Sequence, residues 1–177
     1  MPTFLEEVNA KIAGVPLQRC FHCRKCTAGC PLASAMDLKP NELVKRIQRG
    51  QRREVLGSSA IWLCASCETC STRCPNQVDI ARMMDSLRSM ALADDAPLRE
   101  KKIPAFHAAF LWSIKKSGRI NETAMMVSYK LKSKDYFSDM VMGLGMFAKG
   151  KLSPFSPKTK NLAAVRRIFE QSKPAGR

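Results

Sequence analysis

Two runs of cysteine repeat in this chain with identical spacing, and between them they use every thiol it has. Residues 20–31 read Cys20-Phe21-His22-Cys23-Arg24-Lys25-Cys26-Thr27-Ala28-Gly29-Cys30-Pro31, and Cys64, Cys67, Cys70, Cys74 and Pro75 return the same pattern 44 residues later. Three explanations compete for the eight cysteines. Zinc takes four ligands at tetrahedral corners, usually from two separated Cys-x-x-Cys knuckles, which is not this arrangement. A disulfide framework suits short secreted chains, yet Met1-Pro2-Thr3-Phe4-Leu5-Glu6-Glu7-Val8 has neither the basic nor the apolar region of a secretory leader. Three cysteines at successive two-residue spacing, then a fourth and a proline, form the run that holds bacterial-type iron-sulfur clusters.

That spacing has a geometric logic. Three thiolates two residues apart let one loop wrap three corners of a cubane, while the fourth cysteine serves the neighbouring cluster. The pattern therefore predicts one 4Fe-4S cluster on Cys20, Cys23, Cys26 and Cys74, and a second on Cys64, Cys67, Cys70 and Cys30. Each run is tied to the other, and residues 20–80 are expected to fold only with metal bound.

The rest of the chain reads as helix. Phe4, Leu5, Val8 and Ile12 lie at helical spacing before Gly14 and Pro16. Lys39 to Gly50 has proline at a favourable first helical position, apolar residues at 43, 44 and 47, and a terminating glycine. Ser58-Ser59-Ala60-Ile61-Trp62-Leu63 is an apolar approach to the second run, in which Trp62 is read as packing rather than as an electron relay. Asp79 can cap a helix whose stripe is Ile80, Met83, Met84, Leu87, Met90 and Ala91. These features predict a mainly α fold: an alpha-helical ferredoxin-like domain over residues 1–97, with a basic helical carboxy-terminal arm over 98–177 for partner docking.

Charge supports that division. Residues 1–97 hold 13 Lys and Arg against 10 Asp and Glu, whereas residues 98–177 hold 17 against 5. The arm shows helical patterns at Pro104 to Gly118, bearing Phe106, Phe110, Leu111 and Ile114, at Asn121 to Ser133, bearing Met125, Met126 and Tyr129, and at Leu162 to Phe169. Met140 to Ala148 is apolar but spans nine residues, against the roughly twenty a membrane crossing needs. Pro154 and Pro157 mark an extended stretch. Lysines scattered in twos and threes do not form the clustered surface of a nucleic-acid binder; attraction to an anionic membrane surface stands as an alternative, through pairs such as Lys101-Lys102 and Lys115-Lys116.

No Gly-rich phosphate loop or nucleophile elbow is present. The two histidines are His22, within the first run and read as a neighbour of its cluster, and His107. No catalytic residue is expected on this chain, whose chemistry would be the passage of single electrons. Arg24 and Lys25 flank the first run's ligands and Glu68 lies among the second's, so the first cluster is expected to be the easier to reduce.

Taken together, the paired runs, Ile61-Trp62-Leu63-Cys64, Val78-Asp79-Ile80, Met36-Asp37-Leu38-Lys39-Pro40, Pro104-Ala105-Phe106-His107 and Val165-Arg166-Arg167-Ile168-Phe169 resemble the C subunit of heterodisulfide reductase and its bacterial relatives. The cysteine runs alone are shared more widely, including with iron-sulfur subunits of fumarate reductase and glycerol-3-phosphate dehydrogenase. The resemblance implies two 4Fe-4S clusters on the eight cysteines. It implies electron relay between the A subunit of such a complex, which carries FAD and iron-sulfur clusters and where electrons can bifurcate, and its B subunit, which is cysteine-rich, holds iron-sulfur and reduces the disulfide. Such a complex is cytoplasmic and includes a hydrogenase, a formate dehydrogenase or another electron donor module. The family is expected to carry glutamine and glycine where this chain has His22 and Arg24, a departure that bears on the first cluster's potential rather than its ligation. Two other classes stand beside this reading: a membrane-surface iron-sulfur subunit of a quinone-linked oxidoreductase, and a zinc-stabilised scaffold or nucleic-acid-binding protein.

Overall fold

A computed structural model describes residues 2–94, 98–134, 138, 140–150 and 159–172, with the side chains of 140, 141, 144 and 147 left out. Among the described residues every regular element is helical. The chain divides into two compact units, Met1–Glu100 and Lys101–Arg177.

In the first unit, α1 (Phe4–Ile12) begins at a capping box, with the Thr3 hydroxyl and the Glu6 carboxylate each satisfying the other's backbone N–H. It buries Phe4, Val8 and Ile12. The helix α3 (Pro40–Gln48) starts on proline, as its missing N–H permits, and turns its Leu43, Val44 and Ile47 inward. Gly50, at φ 73°, follows its end in the left-handed conformation. A short α4 (Arg52–Gly57) and one-turn α5 (Ala60–Leu63) lead to the second cysteine run. The longest element here, α7 (Ile80–Ala93), is capped by Asp79, whose carboxylate accepts from the Arg82 N–H at 2.9 Å. It buries every position of the predicted stripe together with Ala81.

These helices share one core. The α1, α4 and α5 helices pack on α7, and α3 packs on α1 and α4. Val8, Leu17, Leu43, Val44, Ile47, Val55, Ile61, Met83 and Leu87 are completely buried, and each such side chain is worth about 1.5–3 kcal/mol of hydrophobic stabilisation. Trp62, 5% exposed, belongs to the core as well. At the rim, Arg52 pairs with Glu7 at 2.5 Å and Asp94 at 2.7 Å, joining the α1 and α7 ends, and its guanidinium lies 5.2 Å from the Phe4 ring centre.

Asp37 fixes the entry to the second run. Its carboxylate accepts from the Ser58 hydroxyl at 2.6 Å and from the backbone N–H groups of Ser59 at 3.1 Å and Ala60 at 3.0 Å, at the start of α5. Arg99 approaches it at 3.2 Å from an exposed position. Burial works against the charged carboxylate, but the bonds from Ser58 and Ser59 outweigh it and hold Asp37 well below the usual carboxylate range. Asp37→Ala should cost about 2–3 kcal/mol, because the buried Ser58 and two helix-start N–H groups lose their acceptor. A group with a depressed folded-state pKa stabilises above its unfolded value, so the wild-type advantage should be whole above pH 3.8 and shrink below it. Thermal melts of both proteins from pH 7 to pH 3 measure this; an equal melting temperature at pH 7 would refute it.

The second unit is built differently. The helix α8 (Lys102–Ser117) starts two residues ahead of Pro104, which sits in the first turn where no intrahelical N–H bond is lost. Gly118 ends it at φ 77°, and a Cβ there would lie 2.6 Å from that of Thr159. Asn121 caps α9 (Glu122–Ser133) through its side chain, which accepts from Ala124 N–H at 2.9 Å. Helices α8 and α9 pack together, and α11 (Leu162–Gln171) rests on α8. The buried face of α8 runs through Ala109 and Ser113, whereas Phe106 and Leu111 are exposed. Close approach of α9 explains this: the Ser113 hydroxyl accepts from the Asn121 N–H at 2.8 Å. Met140–Ala148 is helical, as α10. The predicted extended stretch at Pro154 and Pro157 lies outside the described residues, as do residues 95–97 of the predicted boundary. Among the described residues no helix is long and apolar enough to cross a membrane.

Candidate metal centre

Each cysteine run folds into a loop followed by a single helical turn, α2 (Lys25–Ala28) in the first and α6 (Thr69–Thr72) in the second. Both loops place left-handed residues on either side of the second cysteine: His22 and Arg24 at φ 59° and 64°, Ser66 and Glu68 at φ 50° and 58°. Alternation of this kind curls the backbone into a concavity whose N–H groups face inward, a form that suits anions and iron-sulfur clusters. It also accounts for the glycine expected at the position of Arg24, since glycine enters the left-handed region without steric cost.

Helices α2 and α6 pack against each other, and this contact crosses the fourth cysteines over. One cavity is lined by Cys20, Cys23, Cys26 and Cys74, beside His22, Arg24, Asn41 and Ile80. Another is lined by Cys64, Cys67, Cys70 and Cys30, with Met36, Pro40 and Met84 among its apolar walls. The fold thus brings together the two sets of four expected from the spacing. Among the described residues no three His, Cys, Asp or Glu side chains converge on a point as a single ion requires. The thiols stand around a space instead, as the corners of a cluster would.

The thiols differ in their surroundings. Burial raises Cys20 and Cys26, and pushes Cys70 up to about 11 with help from the neighbouring Cys64. The Thr69 hydroxyl, 3.5 Å from Cys67 Sγ, lowers that exposed thiol. Val78 N–H donates to Cys74 Sγ at 3.3 Å. Raised thiols are protonated at neutral pH, so loading them with iron releases protons.

Residues that the spacing did not single out hold the loops in place. Thr27 Oγ1 accepts from Asn41 N–H at 3.2 Å, tying the first loop to α3, and Ser71 Oγ accepts from Ala81 N–H at 3.1 Å, tying the second to α7. Gln48 Nε2 donates to Leu17 O at 2.7 Å and Gln48 Oε1 lies 2.9 Å from His22 Nε2. Arg88 donates to the carbonyls of Ile61 and Cys64 and to Ser66 Oγ. The sequence does carry a signal for them. Past the cysteines, Leu43, Val44, Ile47 and Gln48 recur 40 residues later as Met83, Met84, Leu87 and Arg88.

Residues 16–78 match the family described as 4Fe-4S dicluster domain, and eight cysteines in that domain fit two 4Fe-4S clusters. The chain is 37% identical over 90 residues to the C subunit of the ferredoxin:CoB-CoM heterodisulfide reductase of Methanosarcina acetivorans, covering 51% of this chain and 35% of that one. Against the iron-sulfur C subunit of the CoB–CoM heterodisulfide reductase of Methanopyrus kandleri it is 31% identical over 97 residues, 51% of this chain and 50% of the relative. A second-copy C subunit of the CoB–CoM heterodisulfide reductase of Methanocaldococcus jannaschii aligns over 89% of this chain and 74% of its own length, at 27% identity. The chain belongs to the family of heterodisulfide reductase C subunits. It spans between a third and a half of the first two of these relatives. As a member of that family it is an iron-sulfur electron-transfer protein, and the relatives' names place them in oxidoreductase complexes.

Proposed function

We propose that this chain relays single electrons between a flavin- and cluster-bearing A subunit and a disulfide-reducing B subunit of a heterodisulfide reductase-type complex, with a hydrogenase, formate dehydrogenase or other module as donor. The observation that carries the reading is the pair of cavities, each lined by three cysteines of one run and the fourth of the other. Cys20, Cys23, Cys26 and Cys74 would hold one cluster, and Cys64, Cys67, Cys70 and Cys30 the other. When bound, each 4Fe-4S cluster supplies a one-electron carrier. The protein's share is to hold the thiolates apart at fixed corners and to bring the two loops together through α2 and α6. Apolar walls at Met36, Pro40 and Met84 keep water from the second site.

The second unit supports docking in a complex. Trp112, Val127 and Leu131 are exposed on α8 and α9, with Lys115, Lys116 and Arg166 grouped beside Trp112. Little is buried between these helices, so a partner surface would gain much by covering them. The complex is proposed to be cytoplasmic; the same apolar and basic surface is what a membrane-surface subunit would use.

The test is an anaerobic pull-down of the chain from its native host, with iron and acid-labile sulfide determined on the same sample. The expected result is about eight irons and eight sulfides per chain, together with a flavoprotein and a cysteine-rich second subunit. Zinc in place of iron, or no redox partner, would sink the relay. Recovery with membranes, and flotation of the purified chain on anionic liposomes, would favour the quinone-linked alternative.

A further inference from the structure

The two loops are anchored by one scheme with one chemical difference. Leu17 and Ile61 each stand three residues before the first cysteine of a run, and His22 and Ser66 each one before the second. From α3, Gln48 binds Leu17 O at 2.7 Å and His22 at 2.9 Å. From the matching position of α7, Arg88 binds Ile61 O at 2.5 Å and Ser66 Oγ at 3.3 Å, and adds the carbonyl of Cys64. A neutral amide therefore holds the first loop and a permanently charged guanidinium the second.

The charge at Arg88 is only partly offset. Its side chain is 18% exposed, while its ion-pair partner Asp85, at 3.0 Å, is 61% exposed and well solvated. Arg24, Lys25 and Glu68, the charges that distinguish the loops in sequence, are all exposed, where water and salt screen them. Arg88 is the cation fixed by hydrogen bonds against a loop backbone.

We propose that Arg88 raises the reduction potential of the cluster on Cys64, Cys67, Cys70 and Cys30 above that of its neighbour, which reverses the order expected from Arg24, Lys25 and Glu68. The inference rests on the iron-sulfur relay proposed above. Uptake of one electron adds one negative charge to the cluster, and a fixed cation close by favours the reduced form over the oxidised one. The second site would then be where an electron comes to rest within this chain, and the first the site from which it is passed on.

An anaerobic redox titration of the whole cluster-loaded chain, followed by electron paramagnetic resonance, tests this. The wild type should show two one-electron steps. Arg88→Gln should lower only the upper step, by about tenfold in the ratio of reduced to oxidised cluster at a given potential, or roughly 59 mV. Arg88→Lys keeps the charge and should leave that step close to wild type, which a purely structural role for the guanidinium would not predict. Gln48→Arg should raise the lower step. The proposal is overturned if Arg88→Gln with full iron content moves both steps, neither, or the lower one. Should Arg88→Gln fail to hold its clusters, Gln48→Arg decides alone: an unmoved lower step overturns the proposal. Wild-type chain without iron and sulfide would defeat the relay itself, and that result precedes any titration of variants.

Discussion

Replacing Cys74 together with Cys20 should cost the chain one cluster, whereas replacing Cys74 together with Cys70 should cost it both. The reason lies in the packing of α2 on α6, which carries Cys74 to the cavity of the first run and Cys30 to that of the second. Cys20→Ala with Cys74→Ala removes two corners of one site and leaves Cys64, Cys67, Cys70 and Cys30 intact. Cys70→Ala with Cys74→Ala removes one corner from each. Iron analysis of the two double variants should give about four irons in the first and markedly fewer in the second, since a site short of one thiolate keeps only a damaged cluster. If the runs instead bound their clusters separately, the pair from one run would be the milder and the pair across runs the more severe. The comparison is thus internal, and it separates crossed from uncrossed ligation even if every variant is less stable than the wild type.

Stripping the iron should open the two cysteine loops while the helices behind them persist. Neither α2 nor α6 buries a single side chain, so nothing apolar opposes the conformational entropy of ordering these loops. Four of their residues are also left-handed without being glycine, His22, Arg24, Ser66 and Glu68, and each such residue costs about 1–2 kcal/mol. Metal–thiolate bonds are what would offset this. In contrast, α1, α3 and α7 meet in a core of fully buried Val8, Ile12, Leu43, Ile47, Met83 and Leu87. Hydrogen exchange after anaerobic chelation should therefore show protection lost across residues 20–31 and 64–75 and kept across 40–48 and 80–93. Loss of protection in α3 and α7 as well would mean that all of residues 20–80 depend on metal, the stronger dependence expected from sequence. The stripped chain should also weaken at high pH. A thiol whose folded-state pKa is raised contributes its stability below the ordinary value of 9.0 and loses it as the pH climbs toward about 11, the position of Cys70.

The chemistry of this protein was written in its sequence because cluster ligation depends on residue type and short spacing, both of which are local. Two identical cysteine runs, each closed by proline, named the cofactor and the crossed sets of four before any helix was placed. The helices α3 and α7 were equally plain, for Pro40 and Asp79 start them and their apolar stripes keep a helical period. Tertiary structure alone decided what reaches across the chain. Asp37 caps the approach to the second run from more than twenty residues away, and nothing in its own neighbourhood marks it for that task. Gln48 and Arg88 occupy matching places behind the two loops, yet their carbonyl partners lie 31 and 24–27 residues earlier. In α8 the large apolar side chains pointed to one face, whereas Ala109 and Ser113 are buried because α9 comes close only over small residues. A hydrogen bond or a packed face belongs to two segments at once, and no single stretch of sequence holds both.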